Sequence, residues 1–249
     1  MDQNLISLLA CPNTGDELKL DEGELFTDKT SYPIFENIPW LFKNPEHSYL
    51  EWATKIEGFI EEESIYIKHL QSLLQLSNTK TTSARYSQLI EAKTVNLKVL
   101  NKTLSMFLGQ KTIRLMPSSQ QIHSYFQLIF RDWVWETKEL STYTKYINDK
   151  VTSLENKKVL ILGAGACGLG HILAKQNPTS QIISTDHNPF LFLVANKLMN
   201  GEKVEMFNYS FFPKSIDDTN EKYSIQSSDR LSNHHQVLSS FPELPFKEE

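Results

Sequence analysis

A glycine-rich turn held between an apolar strand and a helix constrains this chain more than any other stretch. Val159-Leu-Ile-Leu162, with β-branched side chains at Val159 and Ile161, has the pattern of a strand buried on both faces. It runs into Gly163-Ala-Gly165-Ala-Cys-Gly168 and then into the helical pattern His171-Ile-Leu-Ala-Lys175. The turn residues Asn177-Pro178 lead to a second apolar run, residues 181–185, which ends on Asp186, 18 residues beyond Gly168. This order predicts a βαβ unit. A Gly-x-Gly-x-x-Gly motif alone is weak, because glycine turns occur wherever a backbone needs room. The strand before it, the helix after it and the acid at the next strand tip turn it into a candidate nucleotide site. Glycines let a ligand approach the backbone at a helix mouth, and a carboxylate on the following strand can accept bonds from two ribose hydroxyls.

The residues after Asp186 are well punctuated. Asn188 is a helix N-cap, Pro189 fits the first helical position and Gly201 fits just past the end. Strand, Leu162-Gly-Ala-Gly-Ala-Cys-Gly-Leu169, helix, a strand ending in Asp186-His-Asn-Pro-Phe190 and an apolar helix together resemble the first half of class I S-adenosylmethionine-dependent methyltransferases. The wording is similar to the carnosine N-methyltransferase-like subgroup. That resemblance implies that S-adenosylmethionine is the cofactor. It also implies that Gly163, Ala164, Gly165 and Gly168 line its methionine and ribose portions, and that Asp186, with His187 beside it, binds the ribose hydroxyls. One departure is Ile161 within the first strand, where many of these enzymes carry an acid, so an amino-group contact is lost. Nicotinamide dinucleotides present the same adenosine ribose, and an NAD(P)-binding protein stands as the alternative.

Residues 1–42 form a distinct unit. The pattern predicts a short apolar helix over Leu5-Ile-Ser-Leu-Leu-Ala-Cys11 and short strands at 17–20, 24–27 and within 32–42. The words Leu8-Leu-Ala-Cys-Pro12, Leu18-Lys-Leu20 and Tyr32-Pro-Ile-x-x-x-Ile-Pro-x-Leu41 resemble the zinc-ribbon-derived domain that serves as an activator subunit of tRNA and translation-factor methyltransferases. Zinc-binding members use two cysteine pairs, since a closed site needs four ligands. Here Cys11 is followed by Thr14 at the partner position and residues 26–29 supply no second pair, so no zinc is expected and Cys11 reads as a small buried residue. The resemblance implies packing against a methyltransferase domain or presentation of a macromolecular substrate; a stabilising cap is the other reading.

Residues 46–150 have helical spacing, at Leu50, Ala53, Ile56, Ile60 and on to Leu74, and again from Leu89 to Phe107 with Gly109 as a stop; residues 77–83 read as a loop. Glu57 and Glu61 to Glu63 read as a solvated helix face. A further helix pair follows Met116-Pro117. Within it Tyr125-Phe-Gln-Leu-Ile-Phe-Arg131-Asp-Trp-Val-Trp-Glu136 crowds aromatic and charged residues, and Arg131-Asp132-Trp133 resembles a segment that precedes the cofactor domain in the same subgroup. Arg131 has two readings: a partner for the cofactor's carboxylate, with Trp133 or Trp135 shielding the pocket, or a surface pair with Asp132 on a core helix.

A net charge of -5 with a pI near 5.8 gives no basic footprint for nucleic acid. No apolar run approaches the ~20 residues of a membrane helix, and Met1-Asp-Gln-Asn lacks a signal peptide's basic region, so a cytoplasmic chain without a membrane partner is expected. Cys11 and Cys167 lie too far apart in context to suggest a disulfide framework.

Residues 204–208 read as the third strand of the sheet. Beyond them the chain turns polar through Asp217-Asp-Thr-Asn-Glu-Lys222 and finishes on Leu244-Pro-Phe-Lys-Glu-Glu249. By the resemblance, Leu-Pro-Phe precedes a fourth strand, and Ser240 stands where an adenine-contacting acid is common. The fold class expected is therefore α/β: a zinc-ribbon-like α+β unit over 1–42, a helical segment over 46–150 and, over 151–249, an incomplete Rossmann-like parallel sheet holding its first three strands. The chain reads as a truncated product or as one completed by a complementing C-terminal chain. His187, His234 and His235 are titratable near neutral pH but read as isolated loop histidines, exposed or structural, and no catalytic base can be assigned. The functional classes open are a methyltransferase or fragment of one, acting on an unknown small or macromolecular methyl acceptor, an NAD(P)-binding protein, and a non-catalytic methyltransferase-like partner subunit.

Overall fold

The structure, a computed structural model, describes residues 1–110, 122–135, 138–210 and 213–247. Met116-Pro117, Glu136 and the terminal Glu248-Glu249 lie outside the described residues. The chain is mixed α/β.

The first unit opens with α1 (Gln3–Leu8), whose N-cap Asp2 accepts a bond from the Asn4 amide at 2.8 Å. β1 (Lys19–Asp21), β2 (Glu24–Phe26), β3 (Ser31–Phe35) and β4 (Ile38–Pro39) follow as an antiparallel meander. Its tight turns, Glu22-Gly23 and Glu36-Asn37, have positive φ at both central residues, the geometry that matches the twist of paired strands. Cys11 is buried with its Sγ 3.1 Å from the Tyr32 hydroxyl. Phe35, Trp40, Tyr49 and Phe107 pack in stacked, tilted and edge-on pairs with centroids between 4.9 and 6.1 Å, joining this unit to the helices that follow.

Asn44 caps and Pro45 opens α2 (Pro45–Leu76), and α3 (Lys80–Thr103) packs back along it. The loop expected over 77–83 is shorter than its composition suggests. Thr79 acts as N-cap, accepting from the Thr82 amide at 3.2 Å, so the helix absorbs the polar run from Lys80 onward. In the acidic cluster Glu61 and Glu62 are exposed as expected, but Glu63 is not. Glu63 is buried at 9% exposure, where it accepts from Lys93 Nζ at 2.8 and 3.0 Å and meets His123 at 3.3 Å. Those two bases offset its burial and hold its carboxyl below the usual range. α4 (Ile122–Trp133) buries Ile122, Tyr125, Phe126, Ile129 and Phe130 at helical spacing, and α5 (Lys138–Lys150) packs on the next helix.

The second half holds β5 (Lys158–Leu162), α6 (Gly168–Gln176), β6 (Gln181–Asp186), α7 (Pro189–Met199), β7 (Val204–Tyr209), β8 (Asn220–Ile225) and β9 (His234–Leu238). β5, β6 and β9 make a parallel sheet in that order, with Leu160 beside Ile183 and Ile183 beside His235. The third strand is therefore β9 and not residues 204–208. β7 pairs antiparallel with β8 in a separate hairpin, which docks on α3 through Asn96: its Nδ2 donates to the Phe207 carbonyl at 2.8 Å and its Oδ1 accepts from the Phe207 amide at 2.7 Å. Lys222 and Ser224, exposed at alternate positions of β8, suit a hairpin with one wet face, and the sheet position goes to a strand whose His234 and Gln236 find hydrogen-bond partners inside. His234 Nε2 lies 2.9 Å from Ser184 Oγ, and Gln236 Nε2 donates to the Phe192 carbonyl at 3.0 Å. His234 and His235 are thus strand residues, not loop residues.

Val159, Ile161 and Ile182 face α6, whereas Ile183 and Val237, on the opposite face, belong to one core with Leu5, Leu9, Leu18 and Leu25. The first unit also extends the sheet edge: Trp40 bridges Leu238 in parallel fashion and the Leu41 amide donates to the Leu238 carbonyl at 2.7 Å. No helix among the described residues is long and apolar enough to cross a membrane.

Candidate functional site

The candidate site lies where β5 and β6 end. Directly after Leu162, Gly163 and Gly165 adopt φ of +64° and +58°, and Cys167, at the N-cap of α6, is left-handed at +67°. Glycine makes the first two turns without strain. Cys167 is fully buried, its Sγ accepting from Gln236 Nε2 at 3.3 Å, and burial pushes its thiol pKa well up, so it is an inert packing group.

The loop's backbone donors are aimed at protein acceptors. The Ala164 amide donates to the Thr185 carbonyl at 3.1 Å and the Gly165 amide to Asp186 Oδ2 at 2.9 Å. The Gly168 amide, in the first turn of α6, donates to Asp132 Oδ2 at 3.1 Å. Asp132 has a side chain only 1% exposed, which corrects the reading of Arg131 and Asp132 as a surface pair. Arg131 Nε donates to Asp132 Oδ1 at 2.7 Å, so the arginine neutralises a carboxylate that the loop also binds. Gly168 is glycine for a steric reason as well. A Cβ there would stand 2.7 Å from the Asp132 Cβ and 3.0 Å from its carbonyl oxygen, so only glycine lets the end of α4 rest on the loop. Trp133 completes the seam by donating from Nε1 to the Ala166 carbonyl at 2.7 Å.

Asp186 is held from two sides, Oδ2 by Gly165 and Oδ1 by the Asn188 amide at 3.0 Å, and its side chain is 9% exposed. A carboxylate offers about four acceptor positions, so it retains capacity for a ligand's hydroxyls. His187 Nδ1 lies 3.3 Å from Asp186 Oδ1 on a half-exposed side chain. Above them, Trp52 of α2 lies 6.2 Å from the His187 ring and 6.3 Å from Tyr125 of α4. Burial, reinforced by the Asp186 charge, raises the Tyr125 hydroxyl pKa. A cleft of about 690 Å³ opens beside Asp132, lined also by Trp133, Trp135, Lys138 and Thr144.

The structure therefore brings together Gly163, Ala164, Gly165, Gly168, Asp186, His187 and Arg131 around one loop. It adds Asp132, Trp52 and Tyr125, which sequence reasoning did not place there. Asp132 carried a signal, its position next to Arg131 in a helix leading toward the loop; Trp52 and Tyr125 arrive through tertiary packing alone. Among the described residues, no group of three or more His, Cys, Asp or Glu could hold a metal ion.

Fold and site define a mixed α/β chain with a parallel three-stranded sheet, a glycine-rich loop at its carboxyl edge and two carboxylates bound to that loop. No protein-family model matches the chain, and no curated protein matches it.

Proposed function

We propose that the chain is a Rossmann-like, S-adenosylmethionine-binding protein of the methyltransferase class. The observation that carries this reading is the pair of carboxylates on the loop's donors. In a dinucleotide site the mouth of the helix must offer its amides to a pyrophosphate. Here the Gly165 and Gly168 amides are taken by Asp186 and Asp132, so neither is free for an anion, and with Arg131 offsetting Asp132 it is chiefly the Asp186 carboxylate that repels one. A ligand carrying ribose hydroxyls and positive charge fits these carboxylate acceptors, and a pyrophosphate does not. Asp186, with His187 beside it, would hold the ribose; Gly163, Ala164 and Gly165 would line the methionine side; Trp52 and Tyr125 would limit water above it. When bound, the cofactor supplies an electrophilic methyl on a sulfonium. The chain's own residues bind, orient and shield, and none is assigned as a base. The first unit serves to cap the β9 edge through Trp40 and Leu238.

Titration calorimetry of the chain with S-adenosylmethionine, S-adenosylhomocysteine and NAD tests the reading. S-adenosylmethionine should bind most tightly, the neutral thioether product more weakly because it lacks the sulfonium charge, and NAD weakest. Preference for NAD would move the chain to the NAD(P)-binding alternative. Binding without labelled methyl transfer to any acceptor would leave it as a methyltransferase-like partner subunit.

A further inference from the structure

A second cavity lies away from the glycine loop, at the opposite end of β9. Leu238, the last residue of that strand, is in register with Asp186, whereas His234 opens it four residues earlier, about 13 Å back along the strand. There the start of β9, the carboxyl end of α7, the turn between β3 and β4 and α1 bound a pocket of about 460 Å³, within the range of small-ligand sites. Its walls are tied together. Asn196 donates from Nδ2 to the Glu36 carbonyl at 3.1 Å, and Asn200 Nδ2 donates to Asn196 Oδ1 at 3.3 Å, so the turn is fixed on α7. Buried Leu5 and Ile38, with Met199, supply its apolar surface.

The polar groups of this pocket are unevenly used. Arg230 carries the one fixed positive charge among the described side chains that line it, and its guanidinium has no hydrogen-bond or ion-pair partner among the described residues. It lies across Gly201, where a Cβ would stand 3.2 Å from Arg230 Nε and 3.3 Å from Nη2. Lys197, the neighbouring cation on α7, is by contrast paired with Glu36 at 3.5 Å. The pocket's acid, Asp2, is met by His235 Nε2 at 3.5 Å. Asn37, in the turn with φ of +68°, adds an exposed side-chain amide, and Ser232 adds an exposed hydroxyl.

We propose that this pocket binds a small organic monocarboxylate, one that carries an amide or hydroxyl group and a short apolar body. Arg230 presents the planar fork of donors that grips a carboxylate. Asn37, Asn200 and Ser232 bond the neutral polar group, and Leu5, Ile38 and Met199 cover the apolar part. Inorganic phosphate fits less well, because it brings more negative charge than one guanidinium balances into a pocket that already holds Asp2. Arg230 has a competing structural role, as a cation beside the last turn of α7. That role requires no ligand.

Nuclear magnetic resonance titration of the full chain with N-acetylleucine, N-acetylleucinamide and inorganic phosphate tests the assignment. N-acetylleucine should shift the Arg230 Nε and Asn200 Nδ2 resonances saturably. Its amide, which lacks the carboxylate, should bind about tenfold more weakly or worse, and phosphate should also bind more weakly than N-acetylleucine. Arg230→Gln should weaken N-acetylleucine binding by about tenfold or more, and Asn37→Gly, which keeps the left-handed turn and removes the side-chain amide, by about threefold. If Arg230→Gln fails to fold, Asn37→Gly and the comparison of acid with amide on the wild type decide. Three results would each overturn the proposal: equal binding of acid and amide or of neither, tighter binding of phosphate than of N-acetylleucine, and an Arg230→Gln variant with a lowered urea midpoint but unchanged N-acetylleucine binding, which would leave Arg230 as a structural cation at the end of α7.

Discussion

His234 gives the sharpest test of the packing between α6 and the sheet. Its ring is buried in β9 with Nε2 on Ser184 Oγ, and its Nδ1 has no hydrogen-bond partner. The titratable groups that act on it are His171, at 6.3 Å between centroids, and His235. Burial, helped by those two neighbours, pulls its pKa from 6.5 down to about 3. The folded state therefore holds His234 neutral while an unfolded chain protonates it below about pH 6.5. Its contribution is complete above that pH and is lost as pH falls toward 3, because the unfolded state binds the extra proton throughout that window. At pH 5 the loss amounts to roughly 2 kcal/mol, one and a half pH units at about 1.4 kcal/mol each. Urea unfolding of the wild type and of His234→Gln at pH 7.5 and pH 5 isolates the effect, since the carboxylates, His171 and His235 titrate in both proteins and cancel in the difference. The wild type should lose roughly 2 kcal/mol more than the variant between the two pH values. Equal losses would mean that His234 charges inside the fold, and that the α6 and β9 seam opens to water.

Other substitutions test the site and its supports. Asp186→Ala should weaken S-adenosylmethionine binding by about ten- to a hundredfold, measured by calorimetry, as charge-assisted bonds to the ribose are lost. Because Asp186 also accepts from Gly165 and Asn188, the same variant should lose roughly 1–3 kcal/mol of stability; an unchanged urea midpoint would show that the loop does not need the carboxylate. Gly168→Ala, with its Cβ 2.7 Å from Asp132, should cost roughly 1–3 kcal/mol by pushing α4 off the loop, whereas Gly58→Ala, with open space at its Cβ, should not destabilise. Asn96→Ala orphans both the amide and the carbonyl of buried Phe207 and should cost roughly 2–5 kcal/mol, with the hairpin of β7 and β8 losing its exchange protection first.

The βαβ unit was legible because several local signals agree there. Apolar strands, glycines that must turn left-handed, Asn188 as cap, Pro189 and Gly201 all lie within one short stretch, and each acts through backbone chemistry that needs no distant partner. The third strand was not legible, for a physical reason that particular residues explain. His234-His-Gln-Val-Leu238 looks polar, yet every even position finds an interior partner or neighbour: Ser184 for His234, the Phe192 carbonyl for Gln236 and the Trp40 bridge for Leu238. Residues 204–208 look like a buried strand because Val204, Met206 and Phe207 are buried, but the surface they pack on is α3. Periodicity reports that a strand is covered, not what covers it. Glu63 failed in the same way, since its partners Lys93 and His123 sit 30 residues and more away in sequence.

The loop shows how the same limit bears on chemistry. Gly-x-Gly-x-x-Gly states only that backbone donors are accessible at a helix mouth, and both cofactor classes use such donors. What separates the classes is where those donors point once folded, and that depends on Asp132, a residue 36 positions before Gly168 that reaches the loop only because Gly168 has no side chain to keep α4 away. With Asp132 in place the mouth of α6 already holds its anion, and Arg131 balances that anion rather than standing free for a ligand's carboxylate. On the proposed reading, a preference for a positively charged ligand would come from this contact between two distant segments. Asp132→Asn, which keeps the shape and removes the charge, should narrow the gap between S-adenosylmethionine and its neutral thioether product; an unchanged ratio of the two affinities would place the discriminating charge at Asp186 alone.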